Sequence, residues 1–181
     1  MKMLELFSGR RIISDRFKKG GWEVETVDLI DGIDIMDWQP KGKYDFIWAS
    51  PPCTEYSGLA YDYSRIWKAD RTLWLRTLEL IYQIKPKFWI IENVKMAQWV
   101  WGKAPQHYGS FFLWGWYPKL NIPKGLWTKS FKGTHLDRND NNRRFNEDKS
   151  AEDRAEIPSG LAELVFKTID KKFTNIGDKR A

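Results

Sequence analysis

The chain has a single cysteine, and it sits in Ser50-Pro51-Pro52-Cys53-Thr54-Glu55-Tyr56-Ser57. One cysteine excludes an intrachain disulfide and a cysteine-cluster metal site. A solitary cysteine is often just a small core residue. Here two prolines fix the backbone ahead of it, and the run Tyr44-Asp45-Phe46-Ile47-Trp48-Ala49 reads as a strand ending just before. Loops at the carboxyl ends of strands in α/β sheets carry ligands and chemistry. We therefore read Cys53 as a nucleophile. Two further segments stand where apolar runs end, Phe7-Ser8-Gly9 and Glu92-Asn93-Val94. In a parallel sheet such ends share one edge, so the three can converge. His107 and His135, the only histidines, have no metal-ligand spacing, and we read both as surface residues.

The elements that position these groups follow from periodicity. Met3 to Phe7 reads as a first strand, and Arg10 to Lys19 as a helix with Ile12, Ile13 and Phe17 on one face, stopped by Gly20-Gly21. Trp22 to Leu29 reads as a second strand, followed by a turn-rich connection from Ile30 to Gly42. Ala69 to Ile84 reads as an amphipathic helix, with Leu73, Leu75, Leu78, Leu80 and Ile81 set against Arg71, Arg76 and Glu79. Lys87 to Ile91 is a strand buried on both faces. Phe111 to Trp116 is a further candidate strand, and Asn121 to Asn146 reads as loops. Leu161 to Lys172 is a helix with Leu161, Leu164, Val165 and Ile169 inward, and Thr174 to Ala181 a frayed tail. This alternation predicts an α/β fold with a doubly wound, mostly parallel sheet. We expect one domain over residues 1–175, with a basic loop region at 119–154 and a tail at 176–181.

The 181 residues suffice for one domain with its own core. No apolar run is long enough to span a bilayer, and Glu5 interrupts any signal-peptide pattern at once. A cytoplasmic protein is the expectation. The net charge of +6 permits a polyanionic partner. Eleven tryptophans are many for this length, and we expect most of them to fill the core.

Taken together, Leu4-Glu5-Leu6-Phe7-Ser8-Gly9, Pro51-Pro52-Cys53 with Ser57, Glu92-Asn93-Val94 and Ile157-Pro158-Ser159-Gly160-Leu161-Ala162 resemble, in order, four motifs of the cytosine-5 DNA methyltransferases. The resemblance implies a Rossmann-like methyltransferase fold, S-adenosylmethionine as cofactor and cytosine-containing DNA as partner. It implies Cys53 as the nucleophile that adds to C6 of cytosine, and Glu92 as the carboxyl that stabilises the adduct near N3 and the 4-amino group. It also implies cofactor contacts from Phe7, Ser8, Gly9, Asp28, Leu29, Asp34, Ile35, Pro51 and Ser159. Asp28 would accept the ribose hydroxyls, and the Asp34-Ile35 pair would meet adenine. Ser57, Lys129, Arg143 and Arg144 would contact nucleic acid. The compact length suggests a viral or mobile-element protein. No metal and no membrane association are expected.

The chain departs from the family pattern in four places. Arg10-Arg11 stands where a second glycine is usual, two residues after Gly9, and Thr54 replaces the Gln after the cysteine. No Gln-x-Arg-x-Arg motif follows Tyr108-Gly109. A target-recognition region is reduced to about Lys119 to Arg154, whose basic residues interleave with Trp127, Phe131 and Phe145. Short or relaxed sequence specificity, or a protein partner supplying recognition, is the expected consequence. Three alternatives stay open: action on RNA, a binding-only relative, and a one-carbon donor other than S-adenosylmethionine.

Overall fold

The computed structural model describes residues 1–57, 68–123 and 156–177. Their elements are strand β1 (Lys2–Leu6), helix α1 (Ile12–Lys19), β2 (Glu23–Val27), β3 (Phe46–Ala49), a short α2 (Thr54–Ser57), α3 (Thr72–Ile84), β4 (Phe88–Asn93), α4 (Gln98–Trp101), β5 (Gln106–Tyr108), β6 (Phe111–Trp116) and α5 (Ser159–Gly177). The six strands form one sheet in the order β2-β1-β3-β4-β6-β5. β2, β1, β3 and β4 run parallel, and β6 and β5 pair antiparallel beyond them. The expected α/β, mostly parallel architecture is therefore present.

Side chains alternate across the sheet, as a pleated strand requires. Leu4, Leu6, Ile47, Ala49, Ile91 and Trp114 pack on one face, with Trp74, Leu80 and Ile81 of α3. Met3, Phe46, Trp48, Ile90 and Leu113 pack on the other, with Ile13 and Phe17 of α1 and Leu161, Val165 and Ile169 of α5. Helices cover both faces, so the sheet is doubly wound. Phe17 anchors the second layer, with the rings of Trp22, Phe46 and Phe166 at 5.0–5.3 Å from its own. Gly20 ends α1 where a Cβ would lie 2.2 Å from the Phe166 ring. Trp22, Trp38, Trp48, Trp74 and Trp114 are buried, and among the described tryptophans only Trp99 and Trp116 are largely exposed.

Several boundaries differ from the expectations. β2 ends at Val27, because the Asp28 carboxylate caps a 3₁₀ turn over Leu29–Asp31 through Ile30 N–H. α3 starts at Thr72, whose N–H is accepted by Asp70 Oδ1 at 2.8 Å. Its faces also differ. Leu75 is 54% exposed, whereas Arg76 is buried. The Arg76 guanidinium donates to the carbonyls of Ile35 (3.1 Å) and Trp38 (2.7 Å) and pairs with Glu79. It thereby holds the β2–β3 connection, which contains no α-helix. The tail expected from Thr174 is helical through Gly177. Phe173 pins that last stretch against Trp22 and Phe88. β5 and α4 were not expected; three polar residues and a four-residue helix carry no usable period.

β6 depends on a glycine. Gly115 has φ 149°, and a Cβ there would meet the Trp89 carbonyl oxygen at 2.1 Å across the ladder. Gly115→Ala should therefore lower stability by about 3 kcal/mol, measured as a shift of the urea midpoint.

Candidate active site

Leu6 of β1 is level with Ala49 of β3, and Ala49 with Ile91 of β4. The residues that follow these three therefore emerge at one edge of the sheet. The chain leaves β1 toward β2 on one side and returns to β3 on the other, so this edge includes the point where the strand order reverses, the usual ligand crevice of such sheets. A cavity of about 690 Å³ lies there. It is lined by Phe7, Ser8 and Gly9 after β1, Pro51, Pro52 and Cys53 after β3, and Glu92, Asn93 and Val94 at the end of β4. All three strand ends thus meet at one site.

Cys53 is a free, half-buried thiol one residue ahead of α2. Its carbonyl accepts the N–H of Tyr56 and Ser57 and the Ser57 hydroxyl (2.9 Å). Tyr56 is buried and meets Trp74 of α3 edge-on, which seats α2 on the layer beneath. The preceding turn is tied to β4, since the Asn93 side-chain amide donates to the Pro51 carbonyl at 2.9 Å.

Glu92 is 8% exposed. Burial pushes its carboxyl up from 4.5 to about 8, and a hydrogen bond with Ser50 offsets only part of that. The Trp48 indole N–H donates to Ser50 Oγ at 2.9 Å, leaving the Ser50 proton to face Glu92. At neutral pH Glu92 is an acid, able to donate a proton or a hydrogen bond. A second buried carboxyl, Glu5, also lines the cavity. It accepts the Ser14 N–H at 2.9 Å and the Ser14 hydroxyl, and burial raises it to about 7.

The loop after β1 is unusual in its backbone. Phe7 (φ 59°), Gly9 (φ 44°) and Arg11 (φ 59°) are all left-handed. The position of the usual second glycine thus has a conformation that favours glycine, but is filled by Arg11, at a cost of about 1–2 kcal/mol. Arg11 stands at the N-cap position of α1 without a side-chain cap bond, and its guanidinium pairs with Asp31. Ser8 Oγ is buried with no partner among the described residues, and Ser8 lines the cavity. An orphaned hydroxyl on the wall of a cavity of this size fits a polar small molecule such as S-adenosylmethionine.

The other expected site residues are placed differently. Asp28 does not line the cavity; its oxygens accept Gly9 N–H (2.8 Å) and Ile30 N–H (2.9 Å), tying the first loop to β2. Ile30, not Leu29, reaches the rim. Asp34 is an exposed turn residue accepting Met36 N–H, and Ile35 is buried in the core; neither lines the cavity. Ser159 is exposed at the start of α5, while Glu156 and Ile157 just before it line the cavity. Ser57 does not line it either. Lys129, Arg143 and Arg144 lie outside the described residues, as does most of the basic region. Sequence reasoning missed Ser50, Glu5, Ile30 and Glu156. Of these only Glu5 gave a signal, as a charge inside an apolar strand.

The raised Glu92 carboxyl has a signed consequence. Below pH 4.5 it is protonated in folded and unfolded chains alike; above that the unfolded chain releases the proton while the folded one keeps it until about pH 8. Its contribution to stability is therefore lost across that window. The melting temperature of Glu92→Gln relative to the parent should rise from pH 4.5 to 8 and then level off. Separately, Asn93→Leu leaves the buried Pro51 carbonyl unpaired and should cost about 1–3 kcal/mol in chemical denaturation.

Comparison with known proteins gives the following similarities. Residues 18–99 match the sequence model of the family described as C-5 cytosine-specific DNA methylase. A relative described as a probable DNA (cytosine-5)-methyltransferase, from Frog virus 3 (isolate Goorha), is 29% identical over 157 residues, covering 71% of this chain and 70% of the relative. That the relative is viral fits the expected origin. A solved structure described as a DNA modification methyltransferase encoded within a prophage (E. coli) is similar at 20% identity and a TM-score of 0.41, over 54% of this chain. The matched part is about a third of that solved protein, 33% of its length. The chain is thus similar, over residues 18–99, to the C-5 cytosine-specific DNA methylases, and the strand ends that carry its motifs gather around one cavity.

Proposed function

We propose that the protein transfers a methyl group from S-adenosylmethionine to C5 of cytosine in DNA. The observation that carries this reading is the shared cavity, which a loop thiol and a buried carboxyl both line. Cytosine C5 is a poor nucleophile by itself. The Cys53 thiolate adds to C6, forming the S–C6 bond, and the ring electrons pass toward C5 and N3. Glu92 donates to N3 and stabilises the adduct, which leaves C5 enamine-like. When bound, S-adenosylmethionine would supply the electrophilic methyl group that an activated C5 needs. Release of the C5 proton to water, return of the N3 proton to Glu92 and elimination of Cys53 as its thiolate restore the aromatic ring.

The remaining groups orient the reactants. Ser50, held by Trp48, points the Glu92 carboxyl, and Asn93 holds the turn that carries Cys53. Ser8 and the backbone of Gly9 are the groups that would hold the cofactor, with Ile30 as an apolar wall. Asp28, Leu29, Asp34, Ile35 and Ser159 lie outside the cavity lining, so in this reading they act by shaping the loops around it, or meet cofactor parts that protrude. The target base must leave a duplex, or be single-stranded already, to reach Cys53.

The test is trapping. DNA with 5-fluorocytosine is incubated with the protein and S-adenosylmethionine, then run on a denaturing gel. Fluorine cannot leave as a proton does, so turnover should stall as a protein–DNA conjugate, absent in Cys53→Ser. Glu92→Gln should slow conjugate formation by about 100-fold or more. Conjugation to fluorinated RNA but not DNA would favour an RNA substrate. No conjugate with either would sink the catalytic reading.

A further inference from the structure

We propose that Arg10 and Glu156 form the subsite for the amino-acid end of the methyl donor, Arg10 taking its α-carboxylate and Glu156 its α-ammonium. This rests on the reading of S-adenosylmethionine as cofactor. Both residues line the same cavity as Cys53 and Glu92. They come from opposite parts of the chain, 146 positions apart, and pair with each other at 2.9 Å. The packing of α1 against α5 brings them together, through Arg16–Glu163 and a Trp22–Asp170 hydrogen bond of 2.9 Å.

The chemistry of the lining singles this pair out. Among the described residues the cavity has two cationic side chains, Arg10 and Arg11, and three carboxyls, Glu5, Glu92 and Glu156. Arg11 is engaged with Asp31. Glu5 is buried against Ser14 and Glu92 against Ser50, so neither offers an open charge. Arg10 and Glu156 have side chains 53% and 35% exposed, so each is reachable from solvent.

The donor has one place where opposite charges sit on the same carbon, its amino-acid end. A zwitterion inserted between Arg10 and Glu156 replaces their mutual contact with one contact for each of its own charges. A solvent-exposed ion pair contributes little to stability, and a guanidinium meets a carboxylate with two parallel hydrogen bonds.

Calorimetric titration of the full chain tests this with three probes. S-adenosylmethionine carries both charges, its decarboxylated analogue only the ammonium, and methylthioadenosine neither. The parent protein should bind S-adenosylmethionine about 10–100-fold more tightly than the decarboxylated analogue. Arg10→Ala should weaken S-adenosylmethionine by about that factor while leaving the analogue unchanged, so the discrimination collapses; Arg10→Lys should restore part of it. Glu156→Gln should weaken both ammonium-bearing probes alike. Methylthioadenosine should bind all these proteins equally, which reports an intact cavity. Full discrimination retained in Arg10→Ala overturns the proposal, and so does a loss of methylthioadenosine binding, which makes the pair a structural clasp. If the parent binds no S-adenosylmethionine, the cofactor reading itself fails, and that shows before any variant is made.

Discussion

The parallel register of β1, β3 and β4 sets the limits for everything else in this site. Adjacent strands lie about 4.8 Å apart, and Leu6, Ala49 and Ile91 are level across them. Three segments far apart in sequence therefore leave the sheet side by side. A slip of one residue in any strand would turn its last side chains to the other face. It would bury Cys53's approach or expose Glu92. The two layers of aromatic and aliphatic side chains enforce the register, because Trp48, Ile90 and Met3 fit only against α1 and α5.

Burial at the edge of the sheet then does the chemical tuning. Glu92 is one residue past the last level row, still covered by protein, so its charged form is disfavoured. Only a few polar contacts are needed to aim the groups. Ser50 is shared between Trp48 and Glu92, and Asn93 reaches back to the Pro51 carbonyl. Glu92 and the turn that carries Cys53 are thus fastened to each other through neighbouring residues of β4. The left-handed loop after β1 adds strain at the third corner, where the chain leaves the sheet beside the cavity.

Much of this was legible in the amino-acid order. Cys53 and Glu92 stand out because each follows an apolar run, and apolar runs of that length end at sheet edges. The alternation of strand and helix gave the fold class for the same reason. What stayed hidden depends on contacts distant in sequence. Arg76 reads as a solvent-facing residue of an amphipathic helix, yet it is buried because two carbonyls of the β2–β3 connection need donors. Leu75 reads as inward and is not, because the helix turns its Trp74–Thr77–Ile81 side to the sheet. Asp28 reads as a ligand for hydroxyls, but its oxygens face backbone N–H groups of the first loop. Glu156 gave no local signal, since only the docking of α5 on α1 brings it to the cavity.

No residue of α3 lines the cavity, yet both flanks of the site are fastened to this helix. Trp74 receives Tyr56 from beneath the cysteine loop, and two residues later Arg76 grips Ile35 and Trp38 in the connection after β2. The two flanks therefore belong to one cooperative unit. A fluctuation that lifts α3 releases both together, so amide hydrogens near Tyr56 and near Trp38 exchange with solvent through a common opening, although nearly twenty positions of chain and a β-strand separate them.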